Sequence, residues 1–68
     1  MKYYWVCVMG SNLEGETEIN TCGFWSPIYP SRERIFEEAE VQCELRVVNL
    51  VMSITVMTRE EFDRFLEV

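Results

Sequence analysis

The sequence predicts an α+β fold in which a three-stranded antiparallel sheet packs on one main helix, with a short helix at the C-terminus. Residues 2–9 are aromatic and β-branched, residues 32–45 follow a helical apolar pattern, and residues 46–57 alternate in polarity. The expected element order is therefore ββαβα. A chain of this length is predicted to form a single domain, 1–68.

The first strand, residues 2–9, is expected at the centre of the sheet. It is apolar on both of its faces, and each face of such a strand needs a cover. A turn-rich segment, residues 10–15, leads into a second strand, residues 16–25, whose polar early part suits a sheet edge. These features predict a hairpin and the strand order 2-1-3. Gly23 is expected to mark a β-bulge.

The main helix is expected over residues 32–45. The prolines of the connector at 26–30 prevent a helix from starting before Ser31, which is a favourable N-cap residue. The apolar residues of the helix fall on one side, which predicts its buried face: Ile35, Phe36, Ala39 and Cys43.

The third strand, residues 46–57, is the clearest strand pattern in the chain. Its alternation predicts a core-facing set consisting of Val48, Leu50, Met52, Ile54 and Val56. If only the main helix covered the sheet, its other face would stay partly open to a partner or a second subunit.

A capping box marks the start of the C-terminal helix, which is expected over residues 59–66. Thr58 stands at the N-cap and Glu61 three residues later, with Met57 and Phe62 at the flanking hydrophobic staple positions. The apolar side of this helix is predicted to consist of Phe62, Phe65 and Leu66. The helix is expected to cover part of the second sheet face.

The charge balance indicates what kind of partner the chain can take. Twelve acidic residues face six basic ones, for a net charge of −6, and there is no basic run. Direct nucleic-acid binding is not expected, because phosphate contacts need lysine and arginine. A larger protein with a basic surface, such as a nucleic-acid channel, is the predicted partner. The alternative is that the acidity only keeps a small apolar domain soluble.

Two groups of residues are candidates for binding such a partner. The glutamate row, Glu33, Glu37, Glu40 and Glu44, recurs at helical spacing and spans roughly 16 Å. It is interpreted as a site for arginine or lysine side chains, with a solvated helix face as the alternative. Six of the nine aromatic residues lie in the first thirty positions. Four of them are predicted anchors unless they fill the core instead: Tyr3, Trp5, Trp25 and Tyr29.

The sequence gives no sign of catalysis, and no catalytic residue, cofactor or metal ligand is predicted. Histidine is absent, and there is no glycine-rich phosphate loop. The three cysteines form no CxxC pair and are expected to be reduced in the cytoplasm, with a Cys7–Cys22 contact across the hairpin as the alternative. Neither a signal peptide nor a membrane span is expected, since the apolar run at 47–57 is too short.

In size, acidity and lack of catalytic residues, the chain resembles small phage-encoded inhibitors, including anti-CRISPR proteins and other DNA-mimicking antagonists of host defence. The resemblance is one of overall form and carries over no motif or functional residue. It implies a viral protein that acts in the host cytoplasm by occluding a basic, nucleic-acid-binding site. Two alternatives remain open: a homodimer built on the exposed sheet face or the strand-three edge, and a small-molecule binding domain.

Overall fold

A single antiparallel sheet and two helices make up the fold. The computed structural model describes residues 2–67, and the side chains of residues 2–64. Its elements are β1 (Lys2–Asn12), β2 (Thr17–Ser26), α1 (Arg32–Cys43), β3 (Leu45–Met57) and α2 (Arg59–Glu67). The strands are ordered β2-β1-β3, and both pairings are antiparallel. The predicted ββαβα order and the central position of the first strand are confirmed.

The core lies between α1 and one face of the sheet, here called the helix-covered face. β1 contributes alternate side chains that are almost fully buried, Tyr4, Val6 and Val8. α1 meets them with Ile35 and Ala39, and its Phe36 and Cys43 are partly buried against the same cluster. The predicted apolar side of the main helix is therefore confirmed.

The hairpin turn between β1 and β2 is held by the side chain of Asn12. Its Oδ1 accepts hydrogen bonds from the backbone N–H groups of Glu14 and Glu16, each at 2.9 Å. Gly15 adopts a φ of 86°, which a glycine accepts without steric cost. The register runs without interruption from Ser11 opposite Thr17 to Lys2 opposite Ser26.

Gly23 is not at a bulge, so that prediction was wrong. It pairs with Trp5 in the regular part of the hairpin. A Cβ atom at this position would lie 2.6 Å from the Phe62 ring and 2.7 Å from the Trp5 ring. The glycine is required because two aromatic rings pack on the backbone here, which is the other common reason for a glycine within a strand.

The predicted core face of β3 is wrong at three of its five positions. The pairing with β1 shifts three times, so that Met52, Asn49 and Arg46 have no direct partner on β1. Each extra residue reverses the faces of the residues that follow. On the helix-covered face the buried or half-buried residues therefore recur at every third position, Leu45, Val48, Val51 and Ile54, whereas Met57 is buried on the opposite face, which it shares with Tyr3. The other three predicted core residues are half exposed: Leu50 lies on the opposite face, Met52 is unpaired, and Val56 shares the helix-covered face with Tyr4 but is exposed there.

α1 is shorter than predicted and ends at Cys43 rather than at residue 45. Glu44 follows in the left-handed conformation, with φ 54° and ψ 40°, and the chain enters β3 at the buried Leu45. Glycine or asparagine normally marks such a helix end, so a glutamate gave no signal in the sequence. The N-cap prediction is confirmed, because the Ser31 hydroxyl accepts from the Arg34 N–H at 3.2 Å.

The capping box of α2 is confirmed in both directions. The Thr58 N–H donates to the Glu61 carboxylate at 3.1 Å, and the Glu61 N–H donates to the Thr58 hydroxyl at 3.2 Å. The bond from the Thr58 backbone is the main reason that the pKa of Glu61 is lowered. Met57 and Phe62, at the staple positions, are both buried. The predicted apolar contributions of Phe65 and Leu66 lie outside the described side chains.

α2 lies on the second face of the sheet, here called the open face, and covers only one end of it. The Phe62 ring centroid is 5.0 Å from that of Tyr3 and 6.4 Å from that of Trp5. α2 contacts the sheet mainly at β1 and β3, and its Phe62 ring also packs over Gly23 of β2. The expectation of a partly covered second face is confirmed.

Cys7 and Cys22 do not meet across the hairpin, so that alternative is wrong. Cys7 is paired with Thr21, which puts it on the open face, whereas Cys22 is buried on the helix-covered face. Side chains of successive strand residues point to opposite faces, and directly paired residues share a face. The neighbour of Cys22 in space is Cys43 of α1.

Candidate interaction surfaces

The glutamate row is solvent-exposed along its whole length. The first three residues follow one side of α1, and Glu44 continues the row just beyond the helix end. Within the part of the chain that the structure describes, none of these carboxylates takes part in an ion pair. The three ion pairs found there use other acids: Glu38 with Arg34, Asp63 with Arg59, and Glu60 with Arg64. The row is therefore free to interact with cations from outside.

The hairpin turn extends this negative surface beyond the helix. Glu14, Glu16 and Glu18 line a cleft of about 410 Å³ together with Glu44 and Cys43. Hydrogen bonds from the Asn12 and Asn20 side chains, at 2.6 and 2.8 Å, lower the pKa of Glu18 and hold its carboxylate in place. Sequence reasoning missed this part of the surface, because it treated these residues only as a turn and the start of an edge strand.

The basic residues are concentrated at the opposite end of the molecule. Lys2 begins β1, Arg32 and Arg34 lie in the first turn of α1, and two further arginines lie on α2. In this topology β1 and α1 both start at the end away from the hairpin turn. Arg46 is the exception, since it follows the buried residue that pairs with Asn12 beside the turn.

The helix dipole adds to this separation of charge. α1 has no basic residue in its last turn, where a cation would be favoured. Instead Glu40 and Glu44 stand at its negative end, and like charges at this spacing also repel one another. The acids at this end are unfavourable for the helix. Because α1 has no basic residue there, the helix itself does not neutralise their negative potential.

A second row on α1, consisting of Arg34, Glu38 and Gln42, fixes which side of the helix faces away from the sheet. The Gln42 side chain donates to the Gly23 carbonyl at 2.8 Å and accepts from the Gly23 N–H at 3.3 Å. Arg34 donates to the Trp25 carbonyl at 3.3 Å. These bonds occupy the outer edge of β2 and turn the glutamate row toward solvent. The spacing of 34, 38 and 42 was a signal that sequence reasoning did not use.

The four predicted aromatic anchors are divided between two surfaces. Tyr3, Trp5 and Trp25 share the open face, where Tyr3 is paired with Trp25. Trp25 is 50% exposed, whereas α2 partly covers the other two. Tyr29 lies on the opposite side of the sheet, 64% exposed, with its ring edge-on to Tyr4 at 5.8 Å. The glutamate row is also on that side, so one flat partner cannot contact both the row and the three clustered aromatics.

The open face carries no charged side chain at any paired position. Each strand contributes five residues to it: Tyr3, Trp5, Cys7, Met9 and Ser11; Thr17, Ile19, Thr21, Gly23 and Trp25; and Val47, Leu50, Ser53, Thr55 and Met57. Away from α2, Ile19 is 61%, Leu50 50% and Val47 47% exposed. A solvated face of an antiparallel sheet normally carries polar and charged side chains. This surface is thus the more apolar of the two candidates.

The described part of the chain has neither a metal site nor a membrane-spanning helix. Among the side chains of residues 2–64, no three cysteines, aspartates or glutamates converge as a metal site. Neither α1 nor α2, as described, has the length and apolar character to cross a bilayer.

Comparison with known proteins finds no matching family model, no matching curated protein and no matching solved structure. The geometry of the two surfaces is therefore the basis for inferring a function.

Proposed function

We propose that this chain is a protein-interaction module that binds a cationic surface on a larger protein and occludes the nucleic-acid site there. The glutamate row and the hairpin carboxylates form the contact. The observation that carries the proposal is the separation of charge. Five of the six basic residues lie at the end away from the hairpin turn, where Glu33 begins the row, and no residue of the row has an ion-pair partner among the described residues.

Binding through this surface costs the protein little. Arginine or lysine side chains of a partner can pair with the row without breaking an internal ion pair. The uneven distribution of charge also steers a cationic partner toward the hairpin end of the molecule, which raises the rate of encounter. Val41 lies beside the row, four residues after Glu37, and is 79% exposed. It supplies an apolar contact inside the charged surface.

A phage-encoded inhibitor acting in the cytoplasm of its host is the biological setting that we propose for this mechanism. The support is the overall form of the chain, which is small, acidic and without a predicted catalytic group. Inhibition would be steric and electrostatic, since occupying a basic site excludes nucleic acid without chemistry.

An oligo-arginine peptide provides a direct test of cation binding. The protein is expected to bind it in about 0.1 M salt and to lose most of that affinity in about 1 M salt, where the Debye length falls from about 10 Å to about 3 Å. Fluorescence anisotropy of a labelled peptide measures the dissociation constant at each of the two salt concentrations. Absence of binding at low salt, or an affinity that salt does not change, would contradict the proposal.

The uncharged open face supports self-association as a second candidate function. Two copies could pack these faces together while both glutamate rows stay in solvent, so this role is compatible with the first one. The aromatic and aliphatic side chains would then be buried between sheets stacked about 10 Å apart.

For self-association, sedimentation equilibrium at micromolar concentration is expected to find a dimer. Leu50→Glu should weaken it by roughly 100-fold or more, because it buries an unpaired carboxylate in the interface. Val41→Glu is the matched control, since it adds the same charge on α1 and should leave the dimer intact. A monomeric wild type would rule this function out, and equal effects of the two variants would remove the open face from it.

A further inference from the structure

Two of the three cysteines lie side by side where α1 ends on the sheet. Cys22 is buried in β2, and Cys43, the last residue of α1, is half-buried against the same core cluster. Cys43 Sγ donates to the carbonyl of Thr21, the residue before Cys22, at 3.5 Å, and the two cysteines are close enough for each to affect the pKa of the other. Folding thus brings together two thiols that are far apart in the sequence.

We propose that Cys22 and Cys43 are a site of covalent modification, at which exchange with a disulfide of the glutathione class forms a bond between β2 and α1. The bond would fix the end of α1 to the sheet beside the Gln42–Gly23 contact. Forming the bond requires no partner, although Cys43 also lines the carboxylate cleft of the proposed contact.

The exchange proceeds in two balanced steps. The half-buried Cys43 thiolate attacks one sulfur of oxidised glutathione, which forms a mixed disulfide and releases one glutathione thiolate. The Cys22 thiolate then attacks the Cys43 sulfur and releases the second glutathione. Two protein thiols are oxidised to one disulfide, one glutathione disulfide is reduced to two thiols, and the two protons pass to the released glutathione.

The surroundings of the pair make this exchange slow rather than sensor-like. Burial is the main cause that raises the pKa of Cys22 to about 12, and it also raises the pKa of Cys43. The charged groups that face the pair are negative and act in the same direction, Glu38 from α1 and Glu18 from β2. The core residues of β1 are apolar. Since the thiolate is the nucleophile, the rate should rise about tenfold per pH unit below these pKa values.

The variant Cys7→Ser isolates the pair for testing, because Cys7 lies on the open face and takes no part in it. This variant is equilibrated at about pH 8.5 with mixtures of reduced and oxidised glutathione, once folded and once in concentrated guanidinium. Mass spectrometry then counts the protein disulfide and the glutathione adducts. Half of the protein disulfide is reduced at a certain ratio of the squared concentration of reduced glutathione to the concentration of oxidised glutathione. This ratio should be at least about 30 times higher for the folded protein than for the unfolded chain.

The double variant Cys7→Ser/Cys22→Ser is the control and should give only a glutathione adduct on Cys43. Equal disulfide stability in the folded and unfolded chains would overturn the proposal. A folded protein that stays as two thiols, or that carries glutathione on both cysteines, would also overturn it.

Discussion

Replacing Gly10 with alanine is expected to destabilise the protein more than any other addition of a single methyl group in the sheet, by about 3 kcal/mol. Gly10 is buried opposite Val48, next to one of the register shifts of β3. A Cβ atom there would collide with the carbonyl oxygen of Val47 and lie 3.2 Å from the Cα of Val48. Both are backbone atoms, so relief requires β1 and β3 to separate.

Urea unfolding followed by circular dichroism measures this effect. A core of this size supplies about 3–5 kcal/mol, so Gly10→Ala should retain at most about 2 kcal/mol, and the comparison is best made in a stabilising osmolyte. Gly23→Ala is the matched variant. Its new methyl group meets the Phe62 and Trp5 rings, which can shift together with α2, so its cost should be smaller. A Gly10→Ala protein within about 1 kcal/mol of wild type would contradict the observed β1–β3 pairing.

Local features were predictable from the sequence. The capping box at Thr58 and Glu61 depends on four consecutive residues, and the Ser31 cap depends on a proline-containing connector. The central position of β1 followed from its two apolar faces. In each case the residues that decide the structure are neighbours in the chain.

Features that depend on partners distant in sequence were not predictable. The alternation in the β3 sequence predicts one buried face. In the structure, the face on which each β3 side chain lies is set by the positions at which the strand skips a residue opposite β1. The end of α1 at a left-handed Glu44 carries no sequence mark. The alternative contact of Cys22 with Cys7 rests on the hairpin alone, whereas the neighbour of Cys22 in the structure, Cys43, comes from a different element.

The candidate site was predictable in part. Helical spacing alone placed the glutamate row on one side of α1. The contribution of the hairpin carboxylates, and the placement of most basic residues at the far end, depend on how the elements are arranged in space. The division of the aromatics between two surfaces follows from the sheet register. A sequence pattern gives the members of a surface, but the topology decides which surfaces lie together.

Two double variants with the same total charge can distinguish binding through the glutamate row from an effect of net charge alone. Glu37→Lys/Glu40→Lys changes the row, whereas Glu60→Lys/Asp63→Lys changes exposed acids of α2 at the opposite end. Each raises the net charge of −6 by four. Circular dichroism should find both variants folded, because all four side chains are on the surface.

The deciding measurement is the displacement of a fluorescent DNA duplex from an arginine-rich peptide by the wild type and the two double variants. The wild type should displace the DNA, the row variant should need roughly 30-fold more protein, and the α2 variant should stay within about threefold of wild type. Equal weakening of the two variants would contradict the account, because net charge alone would then explain the binding.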